Sequence, residues 1–113
     1  MINFDDFSKV ELRIGTVLEA EEVEGSEKLI KQIVDFGDLG KKQILSGIKK
    51  RYKPSQLIGK QFIYVTNLEP RMMMGLESQG MLLCATTPST TSGKSKLILL
   101  KPHSKVEPGA KIG

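Results

Sequence analysis

The sequence has 113 residues, with 17 Lys and Arg against 13 Asp and Glu and a single cysteine. That length supports one domain with one core. No run approaches the roughly 18 consecutive apolar residues of a membrane span, and one cysteine excludes an internal disulfide.

In chain order, the acidic start "MINFDDF" does not read as a secretory signal. A reducing, cytoplasmic compartment is therefore expected, and Met1 reads as the start of an independent chain. "NFDDFSK" is predicted as a short helical turn. Val10, Leu12 and Ile14 then alternate with Glu11 and Arg13, the period of a half-buried strand. Gly15 is expected to mark a bulge or bend in that strand, which Leu18 and Ala20 resume. Further strands are predicted over 29–36, 43–48, 61–66, 81–86 and 96–100, separated by "EGSE", "GDLGKK" and "PSQLIGK". "KPSQLIG" fits one helical turn, opened by Pro54 or Ser55 and ended by Gly59. "TTPSTTSGKS" reads as a flexible loop without chemistry.

Five principal strands with a helical turn between the third and fourth predict an all-β fold. The expected form is a five-stranded OB-fold barrel with short helical turns and an extra C-terminal strand. One domain spans 1–113, with its core in 5–86 and an extension over 87–113 packing on the barrel.

Charge is unevenly distributed. Residues 1–27 hold eight acidic residues against two basic ones, and residues 28–60 hold nine basic against two acidic. Lys28, Lys31, Lys49, Lys50, Arg51 and Lys53 belong to the basic block. Such polarity either presents one cationic face to a polyanion or is a solvated surface with a chance imbalance.

The inventory for catalysis is thin. His103 is the sole imidazole, so Ser46, Ser78 and Asp35 lack a base with which to build a nucleophile. Cys84 lies in the apolar "MLLCA" and reads as a buried, inert thiol. "GDLGKK" has the wrong spacing for a phosphate-cradling loop. No enzyme activity, cofactor or metal site is predicted, and a binding module is. Among the aromatics, Phe4, Phe7, Phe36, Tyr52, Phe62 and Tyr64 mostly occupy core or terminal positions, which leaves little platform for stacking bases. Lysines without free aromatics favour backbone and shape recognition of folded RNA.

Three segments carry a resemblance: "DFSKVELRIGTVLEAEEVEGSEKLIKQIVDFG", "ILSGIKKRYKPSQLIGKQ" and "VTNLEPRMMMGLESQGMLLCA". Together they resemble the tRNA-binding domain family. That family occurs as stand-alone proteins, as the C-terminal domain or beta subunit of methionyl-tRNA synthetase, and as a secretion-related chaperone. The resemblance implies a homodimer that binds the outer corner of tRNA without reading its sequence, with the 87–113 extension contributing to the dimer interface. A methionyl-tRNA synthetase catalytic chain is an implied partner, and a peptide-binding chaperone is the alternative. It also implies a groove containing Asn67, Arg71, Ser78 and Met81, with Lys28 and Lys31 from the second strand.

Each groove residue has a structural rival. Arg71 could instead cover apolar surface or meet Glu69 or Glu77, and Met81 could be core. Ser78 could shape a turn, and Asn67 could tie a loop to backbone. Where family members often have further basic residues, this chain has Met72, Met73 and Met74, suited to an adaptable apolar contact with a protein.

Overall fold

The computed structural model describes residues 1–87 and 96–113. Its elements are α1 (Phe4–Ser8), β1 (Leu12–Glu22), β2 (Ile30–Asp35), β3 (Lys41–Ser46), β4 (Gln61–Val65), β5 (Arg71–Met73), β6 (Leu76–Ser78), β7 (Met81–Leu82), β8 (Cys84–Thr87), β9 (Lys96–Leu99) and β10 (Lys111–Ile112). Short 3-10 turns occupy Gly37–Leu39 and Pro54–Gln56.

The main sheet has the order β3-β2-β1-β4-β7, with β10 also pairing to β1. β1 is its spine, antiparallel to β4 through Leu12–Thr16 and to β2 from Thr16 onward. The sheet then closes on itself. Gln79 N–H donates to the Gln43 carbonyl at 2.8 Å, Gln43 N–H donates to Gln79 Oε1 at 2.8 Å, and Leu45 N–H donates to Ser78 Oγ at 3.0 Å. These bonds join β3 to the turn before β7, so five strands form a nearly closed barrel, as the strand count predicts.

Alternation decides the core. Ile30, Gln32 and Val34 of β2 point inward, joined by Val17, Ile44, Ile48, Leu57, Phe62, Tyr64 and Leu82. Phe36 meets Tyr64 edge to face, with ring centroids 5.3 Å apart. One polar chain crosses this interior. Tyr64 Oη donates to Gln32 Oε1 at 2.7 Å, and Gln32 Nε2 donates to Ser46 Oγ at 2.9 Å. Burial pushes the Tyr64 hydroxyl far above its ordinary value, which keeps it a neutral donor.

Four sequence expectations are corrected. The bulge in β1 falls at Leu18, where the register shifts between Val17 and Glu19, and not at Gly15. Gly15 serves close approach instead: a Cβ there would overlap the Val34 and Phe36 side chains. Val10 precedes the strand and is exposed. The single strand expected over 81–86 is divided: β7 pairs with β4 and β8 with β9, because the chain leaves the barrel edge at Leu83 to form a separate two-stranded ribbon. The connection over 67–81 also contains its own hairpin, β5–β6.

The helical turns fall where capping chemistry places them. Asn3 Oδ1 accepts from Asp6 N–H at 2.8 Å to start α1, and Pro54 opens the second 3-10 turn. Of the predicted loop, Thr86 and Thr87 belong to β8, and 88–95 lies outside the described residues. Among the described residues no helix is long and apolar enough to cross a membrane.

The C-terminal segment returns to the barrel. Gly109 N–H donates to the Ile14 carbonyl at 2.7 Å, and Ile14 N–H donates to the Ala110 carbonyl at 2.9 Å. Gly37 and Gly109 both take positive φ, and a Cβ on either would collide with the other's backbone neighbours, Pro108 and Phe36.

Candidate nucleic-acid interface

The 67–81 connection is fixed at both ends by side chains. Asn67 Nδ2 donates to the Lys9 carbonyl at 2.7 Å, and its Oδ1 accepts from Glu11 N–H at 2.8 Å. Asn67 is therefore an anchor, its amide bound on both sides to the backbone that precedes β1. Ser78 has the corresponding task at the other end. It is 1% exposed; its hydroxyl accepts from Leu45 N–H and donates to the Gly80 carbonyl at 3.0 Å. Its one proton goes to the Gly80 carbonyl, the bond expected of a serine that shapes a turn.

Between these anchors, β5 and β6 pair Arg71 with Ser78 and Met73 with Leu76. That leaves Met74–Gly75 as a two-residue turn with φ of 52° and 78°. Both angles suit a mirror-image hairpin turn, where Asn-Gly or Gly-Gly is usual and methionine is strained. The pattern was unreadable in the sequence for that reason. The Met74 methyl lies beside Gly25, so the hairpin tip meets the β1–β2 loop that precedes Lys28.

Arg71 opens β5 on the surface, and its guanidinium has no hydrogen bond or ion pair among the described residues. The rival pairing with Glu69 or Glu77 does not form. Arg71 lines a recess of about 440 Å³ with Leu45, Leu68, Glu69, Met73 and Met81, and with Ser78 and Gly80 behind. Met81 is exposed, not core, and lines a second recess of about 190 Å³ with Ser46, Gly47 and Ile48. Gly80 keeps this wall thin, because a Cβ there would press on the Val65 carbonyl and Ile44. The two recesses lead from Arg71 past Met81 to the turn that carries Lys49 and Lys50.

The basic block separates into two groups. Ser26 organises the first: its hydroxyl accepts from Lys28 N–H and Leu29 N–H, and its carbonyl accepts from Lys49 Nζ at 2.8 Å. Lys49 N–H donates to the Lys28 carbonyl at 3.0 Å, which brings Lys28 and Lys49 side by side. Lys50, Arg51 and Lys53 follow on exposed positions before the Pro54 turn. Lys31 differs, being half-buried on the outer face of β2 with Nζ 2.6 Å from Glu21 Oε1. An ion pair this exposed on its acidic side is worth little and exchanges readily for another anion.

Reading the sequence missed a third group, Lys60, Lys101 and Lys105. These line one recess although 40 residues of chain lie between Lys60 and Lys101. No spacing signal could have joined them. Cys84 is half-buried, and burial pushes its thiol up, which fits an inert thiol. Among the described residues no group of His, Cys, Asp and Glu could hold a metal ion.

The fold and this groove define a small β-barrel with an open, largely apolar cleft that carries Arg71 and Glu69 between a hairpin and the barrel wall. Residues 12–111 match the family model described as "Putative tRNA binding domain", and the chain belongs to that family. It is 50% identical over 111 residues to the methionine–tRNA ligase of Caldanaerobacter subterraneus subsp. tengcongensis, covering 98% of this chain and 16% of that protein. The chain thus spans about a sixth of the length of the curated relatives it matches. Among solved structures it resembles a MetRS related protein from Pyrococcus horikoshii, with a TM-score of 0.84, 40% identity, and coverage of 100% of this chain and 98% of that one. It equally resembles the chaperone CsaA from Bacillus anthracis str. Ames, with a TM-score of 0.84, 38% identity, and coverage of 100% and 99%.

Proposed function

We propose that this chain is a non-catalytic module that binds tRNA by shape, as a homodimer in the cytoplasm, either alone or in trans to a methionyl-tRNA synthetase catalytic chain. The observation that carries the reading is Arg71: a guanidinium without a partner among the described residues, lining a largely apolar cleft. A planar fork of this kind suits phosphate oxygens. Met81 supplies a soft apolar contact to sugar or base beside it, and Lys28, Lys49, Lys50, Arg51 and Lys53 extend the cationic surface along the backbone. Lys31 joins them by exchanging Glu21 for phosphate. Asn67 and Ser78 act as positioning residues that hold the cleft open. The whole of 1–113 is taken as one such domain. The homodimer is supported by Ile2, Phe4, Phe7 and Val10, large apolar side chains left exposed at the N-terminus.

A tRNA mobility-shift assay with sizing at two salt concentrations tests this. The expected result is a dimer whose affinity falls steeply with salt, as released counterions require. Arg71→Ala should weaken all tRNAs alike, by about tenfold for a lost charge-assisted bond. The chaperone relative makes unfolded peptide the necessary competitor. Displacement of tRNA by peptide at equal concentration, or a salt-insensitive shift, would overturn the reading.

A further inference from the structure

We infer that Lys60, Lys101 and Lys105 form a second phosphate-binding site on this domain, outside the Arg71 cleft. The inference rests on the tRNA reading for its ligand and on independent geometry for its existence. The three lysines line one recess of about 340 Å³ with Gly59, Gln61 and Pro102, and among the described residues no carboxylate lines it. None of the three ammonium groups has an ion pair among the described residues. Like charges gathered around one hollow repel each other, and an anion in that hollow reverses the sign of the interaction.

The gathering is built, not incidental. The segment carrying Lys101 and Lys105 is held from both sides. Ile63 N–H donates to the Leu100 carbonyl at 3.2 Å. Gln61, which is buried, donates through Nε2 to the Val106 carbonyl at 2.6 Å and to Thr16 Oγ1 at 3.1 Å. Its Oε1 accepts from Val106 N–H at 3.0 Å. One buried amide, adjacent to Lys60 in the chain, therefore clamps the backbone that positions Lys105. With the backbone held, only the lysine side chains have to settle when a phosphate arrives.

Placement argues for a polynucleotide over a small anion. The lysine recess sits at the start of β4, whereas Arg71 follows its end, and the five residues of that strand span about 15 Å. The two sites would meet different stretches of one folded RNA backbone.

The test compares wild type, the triple variant K60Q/K101Q/K105Q and Arg71→Ala in tRNA binding from 50 to 300 mM salt. Losing two to three phosphate contacts should lower the slope of log affinity against log salt by about 2 and weaken binding about tenfold or more at low salt. The variant should fold normally and melt no lower than wild type, because it removes repulsion only. An unchanged slope with intact wild-type binding overturns the proposal while leaving the Arg71 reading in place. So does a loss confined to binding of phosphatidylserine vesicles, which would make the recess a membrane contact. If wild type binds no tRNA, the function proposed above fails, and a titration with pyrophosphate decides the recess alone. Backbone amide shifts confined to residues 60, 101 and 105 would support it, and their absence would overturn it.

Discussion

Ser78 and Arg71 face each other across one hairpin register, yet the structure uses them in opposite ways. The serine is buried, and its hydroxyl both accepts and donates within the barrel seam. The arginine is exposed, and its guanidinium has no partner among the described residues. A polar group removed from water must be satisfied inside the protein, whereas one at the surface remains available to a ligand. The difference teaches that two polar residues paired across one hairpin can divide between building the cleft wall and staying open to solvent. Burial separates the two kinds.

The contrast can be broken most directly at Ser78. Ser78→Ala leaves the Leu45 N–H buried without an acceptor, and unfolding by denaturant should show a loss of about 1–3 kcal/mol. Affinity for tRNA, measured well below the melting temperature, should change far less than in Arg71→Ala. The reverse pattern, weak binding at full stability, would make the hydroxyl a direct RNA contact.

A smaller effect sharpens the account of the hairpin. Met74→Gly removes a left-handed methionine at φ 52°, and a gain of up to about 1 kcal/mol is expected on thermal unfolding. Loss of its contact at Gly25 offsets part of that gain. A marked loss of stability would show instead that the methionine tip holds the β1–β2 loop.

The smallest effect concerns pH. Hydrogen bonds from Thr66 and then Arg13 hold the Glu11 carboxyl below its usual value of 4.5. Thr66 Oγ1 donates to Glu11 Oε1 at 2.6 Å. The folded value is the lower one, so this contribution is fully present above the unfolded value and is lost as pH falls through the folded one. Stability followed from pH 6 to 3 should decline, and Thr66→Val should flatten the part of the decline owed to Glu11. An identical slope in the variant would assign the acid sensitivity elsewhere.

Much of the fold was legible because strand alternation is a local signal. Leu12 and Ile14 alternate with Glu11 and Arg13, so the strand announces itself two residues at a time. The helical turns at Asn3 and Pro54 were readable for the same reason, since caps act within one turn. The hairpin at Met74–Gly75 was not, because its turn is taken by a residue that local preference disfavours. Of the site, Arg71 and the 28–53 lysines could be named from composition and resemblance, whereas their division into free, paired and anchoring groups could not.

By itself the sequence determined a small β-barrel of strands at short intervals and a basic middle against an acidic start. The tertiary structure alone decided which polar side chains face water, that Ser78 and Asn67 anchor the connection beside the cleft, and that Lys60 shares a recess with Lys101 and Lys105. The physical reason is range. Periodicity and capping act over a few residues, while burial and charge convergence depend on chain segments brought together by closure of the barrel.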